Sequence, residues 1–231
     1  SDKGTVQEKS LNKAISLLEL FRSKKLSVNE DFDLDQLAKL MAIRAVFGST
    51  EFDVDDMKFY YNPISNLLEP ISKEIHSEAD RFVSGFNPWV FKSDNLRYPW
   101  QKAFLDLLYN DQIFYEKYLF ELNNYSNKKF IANIIDDNKV EFEELKKVLK
   151  LNFPSKEFYK NQDFEKVSSF IQGTLKPIQK PYFNLLNKFN NNLELRVTNT
   201  QILPIEIIGI NIDNDYFCLL YTSPSPRDFE A

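Results

Sequence analysis

Cysteine and histidine are almost absent from this chain: 231 residues contain one Cys, Cys218, and one His, His76. A lone thiol closes no intrachain disulfide and builds no thiolate metal centre, and no Ser, His and Asp set falls at a spacing that would make a nucleophilic triad. His76 by itself reads as a structural or exposed side chain before a catalytic one. Long apolar runs are missing too. The stretch from Leu203 to Ile212 is short and interrupted by Pro204, Glu206 and Gly209, so it cannot cross a bilayer as a helix. Basic excess is the third absence. The net charge is -5, which disfavours nucleic acid as a partner, since phosphate binding needs a basic face that releases counterions. The first five residues, Ser1 to Thr5, carry neither a basic nor an apolar leader pattern, so any address signal is expected upstream.

What the chain does have is apolar surface. Hydrophobic residues make up 43% and aromatic residues 15%, including 21 Phe, which is enough to bury a core and argues against disorder. The pairs Lys24-Lys25 and Lys146-Lys147 sit among acids and read as solvated helix faces.

Periodicity predicts a mainly helical α+β protein. Residues 5–25 read as a helix with Leu11, Ile15 and Leu18 on its apolar face, widened by Ala14 and Phe21, and a polar break over 27–31 ends it. Asp33 then opens a second helix with Gln36 as its capping partner and Gly48 as its C-cap. From Met57 the pattern changes to an aromatic strand, an Asn62-Pro63 turn and a second strand over 67–71, a β-hairpin in which Pro70 must sit where no ladder bond is needed. Stretches 100–110, 112–124, 128–135 and 141–150 have helical period and predict a bundle; 163–173 and 180–189 read as further helices. Alternation of Leu193, Leu195 and Val197 with Glu194, Arg196 and Thr198 then signals a β-rich module, with a domain boundary expected near Asn190 to Asn192.

The segment 218–228, Cys-Leu-Leu-Tyr-Thr-Ser-Pro-Ser-Pro-Arg-Asp, resembles one reading frame of a transposase adapter. The expected organisation is therefore a main body over 1–190, the start of a β-rich module over 191–217, and a non-native tail over 218–231. On that reading the native part has no thiol at all.

Chemistry-bearing residues gather on either side of the hairpin. Asp53, Asp55 and Asp56 are close enough along the chain to repel one another, and a cation or a nearby base would favour their ionised forms. The plainer reading is a solvated loop whose acids cap neighbouring elements. Glu69 with Glu74 has the composition of a glycosidase pair, though sequence gives no separation between them. Trp89, Tyr98 and Trp100, around the loop between Pro88 and Pro99, suit either a core or a binding platform.

The stretch from Phe32-Asp-Leu-Asp-Gln-Leu through Arg44-Ala-Val-Phe-Gly48, followed by Met57-Lys-Phe-Tyr-Tyr-Asn-Pro-Ile-Ser-Asn-Leu-Leu-Glu-Pro-Ile71, resembles the CotH-like family of spore coat kinases. Similarity extends to Pro99-Trp-Gln-Lys-Ala-Phe-Leu-Asp106, to Leu193-Glu-Leu-Arg-Val-Thr-Asn199 and to Leu203-Pro-Ile-Glu206. The resemblance implies the C-terminal lobe and extension of an atypical protein-kinase-like fold, with the phosphate-covering strands and their lysine upstream. It further implies ATP and Mg²⁺ or Mn²⁺ as cofactors, a protein substrate, and an exported or cell-envelope location. Carried over, the catalytic loop corresponds to Glu51-Phe-Asp53, a metal-binding Asn is replaced by Asp56, and the nearest match to the metal-binding Asp after the second strand is Glu74. Glu is one methylene longer than Asp and shifts a bound ion unless the backbone compensates. A second expectation, from a different class, is a non-catalytic envelope or surface module that keeps the scaffold to bind a partner.

Overall fold

The computed structural model describes residues 5–48, 57–72, 99–155, 161–176, 180–189, 192–200, 209–212 and 215–218, with isolated positions between 203 and 207. The chain divides into two units, Ser1–Thr174 and Leu175–Ala231. The architecture is α+β and mostly helical, as the periodicity implies.

The first unit begins with α1 (Val6–Arg22), α2 (Val28–Asp31) and α3 (Leu34–Phe47). Thr5 caps α1 reciprocally: its hydroxyl accepts from the Glu8 N–H at 3.2 Å, and Glu8 accepts from the Thr5 N–H at 2.6 Å. The expected apolar face of α1 is rotated. Leu17 and Phe21 are buried whereas Leu11 and Ile15 are half or more exposed, so the stripe that meets the core runs through Ala14, Leu17 and Phe21. The polar break expected over 27–31 contains the one-turn helix α2, because the Glu30 carboxylate accepts from both the N–H and the hydroxyl of Ser27, at 2.9 and 2.6 Å.

Helix α3 forms as its ends predict. Asp33 accepts from the Gln36 N–H at 3.0 Å, and Gly48 closes the helix in the left-handed region at φ 64°. Leu37, Ala38, Met41, Ala42, Ala45 and Val46 are all buried, which makes α3 the central helix rather than a surface one.

Next come β1 (Lys58–Asn62) and β2 (Leu67–Ile71), paired antiparallel from Lys58 opposite Ile71 to Asn62 opposite Leu67. The bundle follows: α4 (Pro99–Tyr109), α5 (Gln112–Tyr125), α6 (Lys128–Asp137), α7 (Lys139–Asn152) and α8 (Asn161–Thr174). α3 packs on α5, α8 and β2. Phe114, Tyr118 and Leu122 of α5 and Val167 and Ile171 of α8 complete the core around it. Gln172 joins α8 to the end of α5 by donating to the Asn123 carbonyl at 3.0 Å and to the buried Ser126 hydroxyl at 2.8 Å.

The second unit contains two hairpins. β3 (Tyr182–Phe189) pairs antiparallel with β4 (Asn192–Thr198), and β5 (Gly209–Ile212) with β6 (Asp215–Cys218). The helix expected over 180–189 is therefore a strand. Its apolar residues Tyr182, Leu185, Leu186 and Phe189 fit a helical stripe, yet Asn184 and Asn187 are weak helix formers and a complementary strand begins after only two intervening residues. Asn190 to Asn192, where a domain boundary is expected, falls at the connection between these two paired strands. β6 reaches Cys218, opposite Gly209, so the pairing runs one residue into the adapter-like segment.

Candidate functional site

The hairpin that carries the family resemblance is built from its turn outward. The Asn62 side-chain carbonyl accepts from the Ile64 N–H at 2.8 Å across Pro63, and its amide donates to Glu69 Oε1 at 2.6 Å. Asn66 takes the left-handed conformation at φ 60° and accepts from the Tyr61 hydroxyl at 2.8 Å. Glu69 is thus held by its own hairpin as a cross-strand partner of the turn, which accounts for it without a catalytic role.

One residue on from the turn, β2 is seated in the core. Leu68 is fully buried, Phe32 bridges to it in parallel fashion, and the Asp33 N–H donates to the Leu68 carbonyl at 3.0 Å. Phe32 lies between Phe21 and Phe59, with ring centroids at 5.0 and 5.1 Å. The N-terminus of α3 is therefore fixed to β2, and Lys58 is paired with Ile71 at the open end.

Glu51, Asp53, Asp56 and Glu74 lie outside the described residues, as do His76, Trp89 and Tyr98. Asp56 is two residues before Lys58, and Glu74 three after Ile71. Trp100 falls in the first turn of α4. Among the described residues no three His, Cys, Asp or Glu side chains gather closely enough to hold a metal ion.

Among the described residues of the first unit two charged side chains are buried, Asp31 beside this hairpin and Arg44 on α3, where the latter continues the helical spacing of Leu37, Leu40 and Met41. Asp31 is fully buried, and among the described residues neither carboxylate oxygen has a hydrogen-bond partner. Loss of water pushes its pKa up to about 6, with a smaller push from Glu30, and it ends α2, where the helix dipole disfavours an anion. A signal did exist: Asp31 stands three residues after Val28 and immediately before Phe32, on the face that both apolar residues bury. Arg44, also buried, lies near Tyr109 and Tyr118 and favours their ionised forms. Burial outweighs this and raises both phenols; the Tyr118 hydroxyl also donates to Tyr109, and burial pushes neighbouring Tyr115 up to about 12. This cluster keeps its protons at any physiological pH and serves packing.

The described surface has two further features. A shallow cleft of about 320 Å³ between α3 and α5 is lined by Asp35, Glu116, Lys117, Phe120 and Glu121, with Lys117 bonded to Asp35 at 2.5 Å. A smaller apolar groove of about 200 Å³ involves Phe47, Ile131, Ile134, Phe142 and Phe164. The groove is lined almost wholly by apolar side chains, and in the cleft the ammonium of Lys117 is held by Asp35. Comparison with family models, with curated proteins and with solved structures finds no match.

Proposed function

We propose that this chain is part of a CotH-like protein whose hairpin-flanking acids bind a divalent metal for ATP-dependent phosphoryl transfer to a protein. The observation that carries this reading is the β1–β2 hairpin: its strands, its Asn-Pro turn and its seat on α3 occur in the order of the resemblance, and the Lys58 to Ile71 pairing brings together the two points from which the acid-bearing segments leave. On this reading Asp56 and Glu74 supply hard oxygen ligands suited to Mg²⁺ or Mn²⁺, while Glu51 and Asp53 accept or orient the proton of the attacking hydroxyl. Phosphoryl transfer needs little more than such positioning and charge neutralisation. ATP and the metal would supply the transferable group and the cation. Metal-dependent stabilisation that requires Asp56 and Glu74 tests the assignment.

A non-catalytic surface module is the second reading. It is favoured by the apolar ribbon of the second unit, where Tyr182, Phe183, Leu185 and Leu186 are all close to half exposed or more. A chain that keeps its fold but shows no metal response would move the assignment to this reading.

A further inference from the structure

The β3–β4 ribbon has the properties of a strand edge awaiting a partner. An isolated two-stranded hairpin is marginally stable in water, and three or more strands are normally needed. Among the described residues the ribbon has only its two strands, so each has one edge with no neighbouring strand. The two edges are not equivalent. β3 is broken by an irregularity between Leu185 and Asn187, which bends the strand and blunts its edge, whereas β4 pairs without interruption over its seven residues. β4 also contains no proline, and its sequence alternates, apolar at 193, 195 and 197 and polar at 194, 196 and 198, which puts Leu195 and Val197 on one face and Glu194, Arg196 and Thr198 on the other.

The charges on β4 point to what the edge accepts. Within the ribbon Arg196 stands opposite Asn184 and Glu194 opposite Asn187, so neither meets an opposite charge across the ladder. Both are exposed, and neither forms an ion pair among the described residues. The sequence around Leu195 is, however, complementary to itself when read in the opposite direction. An antiparallel pairing of two β4 strands about a twofold axis at Leu195 sets Leu195 against Leu195 of the second copy. It also sets Glu194 against Arg196 and Arg196 against Glu194, and brings the apolar positions 193 and 197 together. No shift of register by one residue achieves this, because it would move the apolar set to the opposite face.

We propose that the free edge of β4 is a self-association edge, through which two copies of this chain form a four-stranded antiparallel sheet in the order β3, β4, β4, β3. Its apolar side then carries Phe183, Leu185, Leu195 and Val197 from both copies, giving cross-strand neighbours to side chains that are exposed in one copy: Phe183 is 54% and Leu185 58% exposed. The proposal is independent of any phosphoryl transfer.

Sedimentation velocity on the full chain over a concentration series reads the association directly. Wild type shows a concentration-dependent monomer–dimer equilibrium. Glu194→Arg and Arg196→Glu each turn two attractive cross-strand pairs into two repulsive ones and weaken the dimer about tenfold or more. The double variant Glu194→Arg/Arg196→Glu dimerises like wild type, and an equimolar mixture of the two single variants recovers association as a heterodimer. Recovery on mixing separates a lost interface from a lost fold, since two misfolded chains do not rescue one another. A wild type that stays monomeric overturns the proposal, as it would if the edge were covered by another segment of the same chain or reserved for a foreign strand. Single variants that dimerise undiminished, or a double variant and mixture that do not recover, overturn the register and with it the proposal.

Discussion

Replacing Asp31 by Asn tests the most unusual feature of the first unit, a carboxylate that is fully buried and has no hydrogen-bond partner among the described residues. The substitution keeps the shape and removes the titration. Desolvation raises the folded-state pKa from 3.8 to about 6, while the unfolded chain keeps the ordinary value. Because the folded value is the higher one, the folded state holds the proton more tightly. The stability associated with Asp31 is fully present below the unfolded pKa and is lost as pH rises through the folded one. A difference of about two units corresponds to roughly 3 kcal/mol over the whole range, and to about 2 kcal/mol between pH 4.5 and 8. Urea titrations of wild type and Asp31→Asn across that interval isolate this contribution, since every other group is common to both proteins. The stability of wild type relative to the variant is expected to fall by about 2 kcal/mol as pH rises. Two parallel pH profiles would refute the reasoning and show that Asp31 keeps water or a partner in solution.

Other expected outcomes follow from packing and backbone conformation. Leu37→Ala, on the buried face of α3, is expected to cost about 2–5 kcal/mol in urea unfolding, and Ile43→Ala, only half-buried on the same helix, under about 2 kcal/mol; equal losses would mean that the buried face is misplaced. Gly48→Ala forces an L side chain to φ 64° and is expected to destabilise by about 1 kcal/mol. Gly173→Ala, in α8 with open space at the added methyl, is expected to stabilise by about 0.5–1 kcal/mol, so a shared sign in thermal melts would contradict the assigned conformations. Truncation directly after Cys218, which spares the β5–β6 pairing, is expected to leave the melting temperature unchanged; a fall of several degrees would show that the adapter-like segment docks on the fold.

Elements with local end signals were the ones legible in the sequence. Asp33, Gln36 and Gly48 mark both ends of α3, and the Asn62-Pro63 turn marks the hairpin, because caps and turns are satisfied by neighbours a few residues away. The apolar stripe of α1 was rotated, since Leu11, Leu17 and Leu18 are equally apolar and only packing around Phe21, Phe32 and Phe104 decides which faces inward. Residues 180–189 satisfy both a helical stripe and a strand, and the outcome depends on pairing with Asn192–Thr198, a non-local term that local periodicity does not contain. Burial of Asp31 was missed for a related reason, although its place beside Val28 and Phe32 carries a signal, whereas Arg44 continues the helical spacing of Leu37, Leu40 and Met41. A charged residue reads as surface, and its burial comes from what folds over it. The acids assigned to the candidate site, Glu51, Asp53, Asp56 and Glu74, lie outside the described residues, so that assignment rests on the resemblance and on the hairpin they flank.

Metal-dependent stabilisation addresses that assignment most directly. A ligand that binds only the folded chain stabilises it by about 2.7 kcal/mol at one hundred times its dissociation constant, so at millimolar metal a site with a dissociation constant of roughly ten micromolar registers clearly in a thermal melt. Mn²⁺ would be titrated against the melting temperature of wild type and of the Asp56→Asn/Glu74→Gln variant, which removes both charges and nearly preserves both shapes. The proposed site predicts a melting temperature that rises with the logarithm of Mn²⁺ concentration in wild type and stays flat in the variant. No shift at millimolar Mn²⁺, or an equal shift in both proteins, would contradict it.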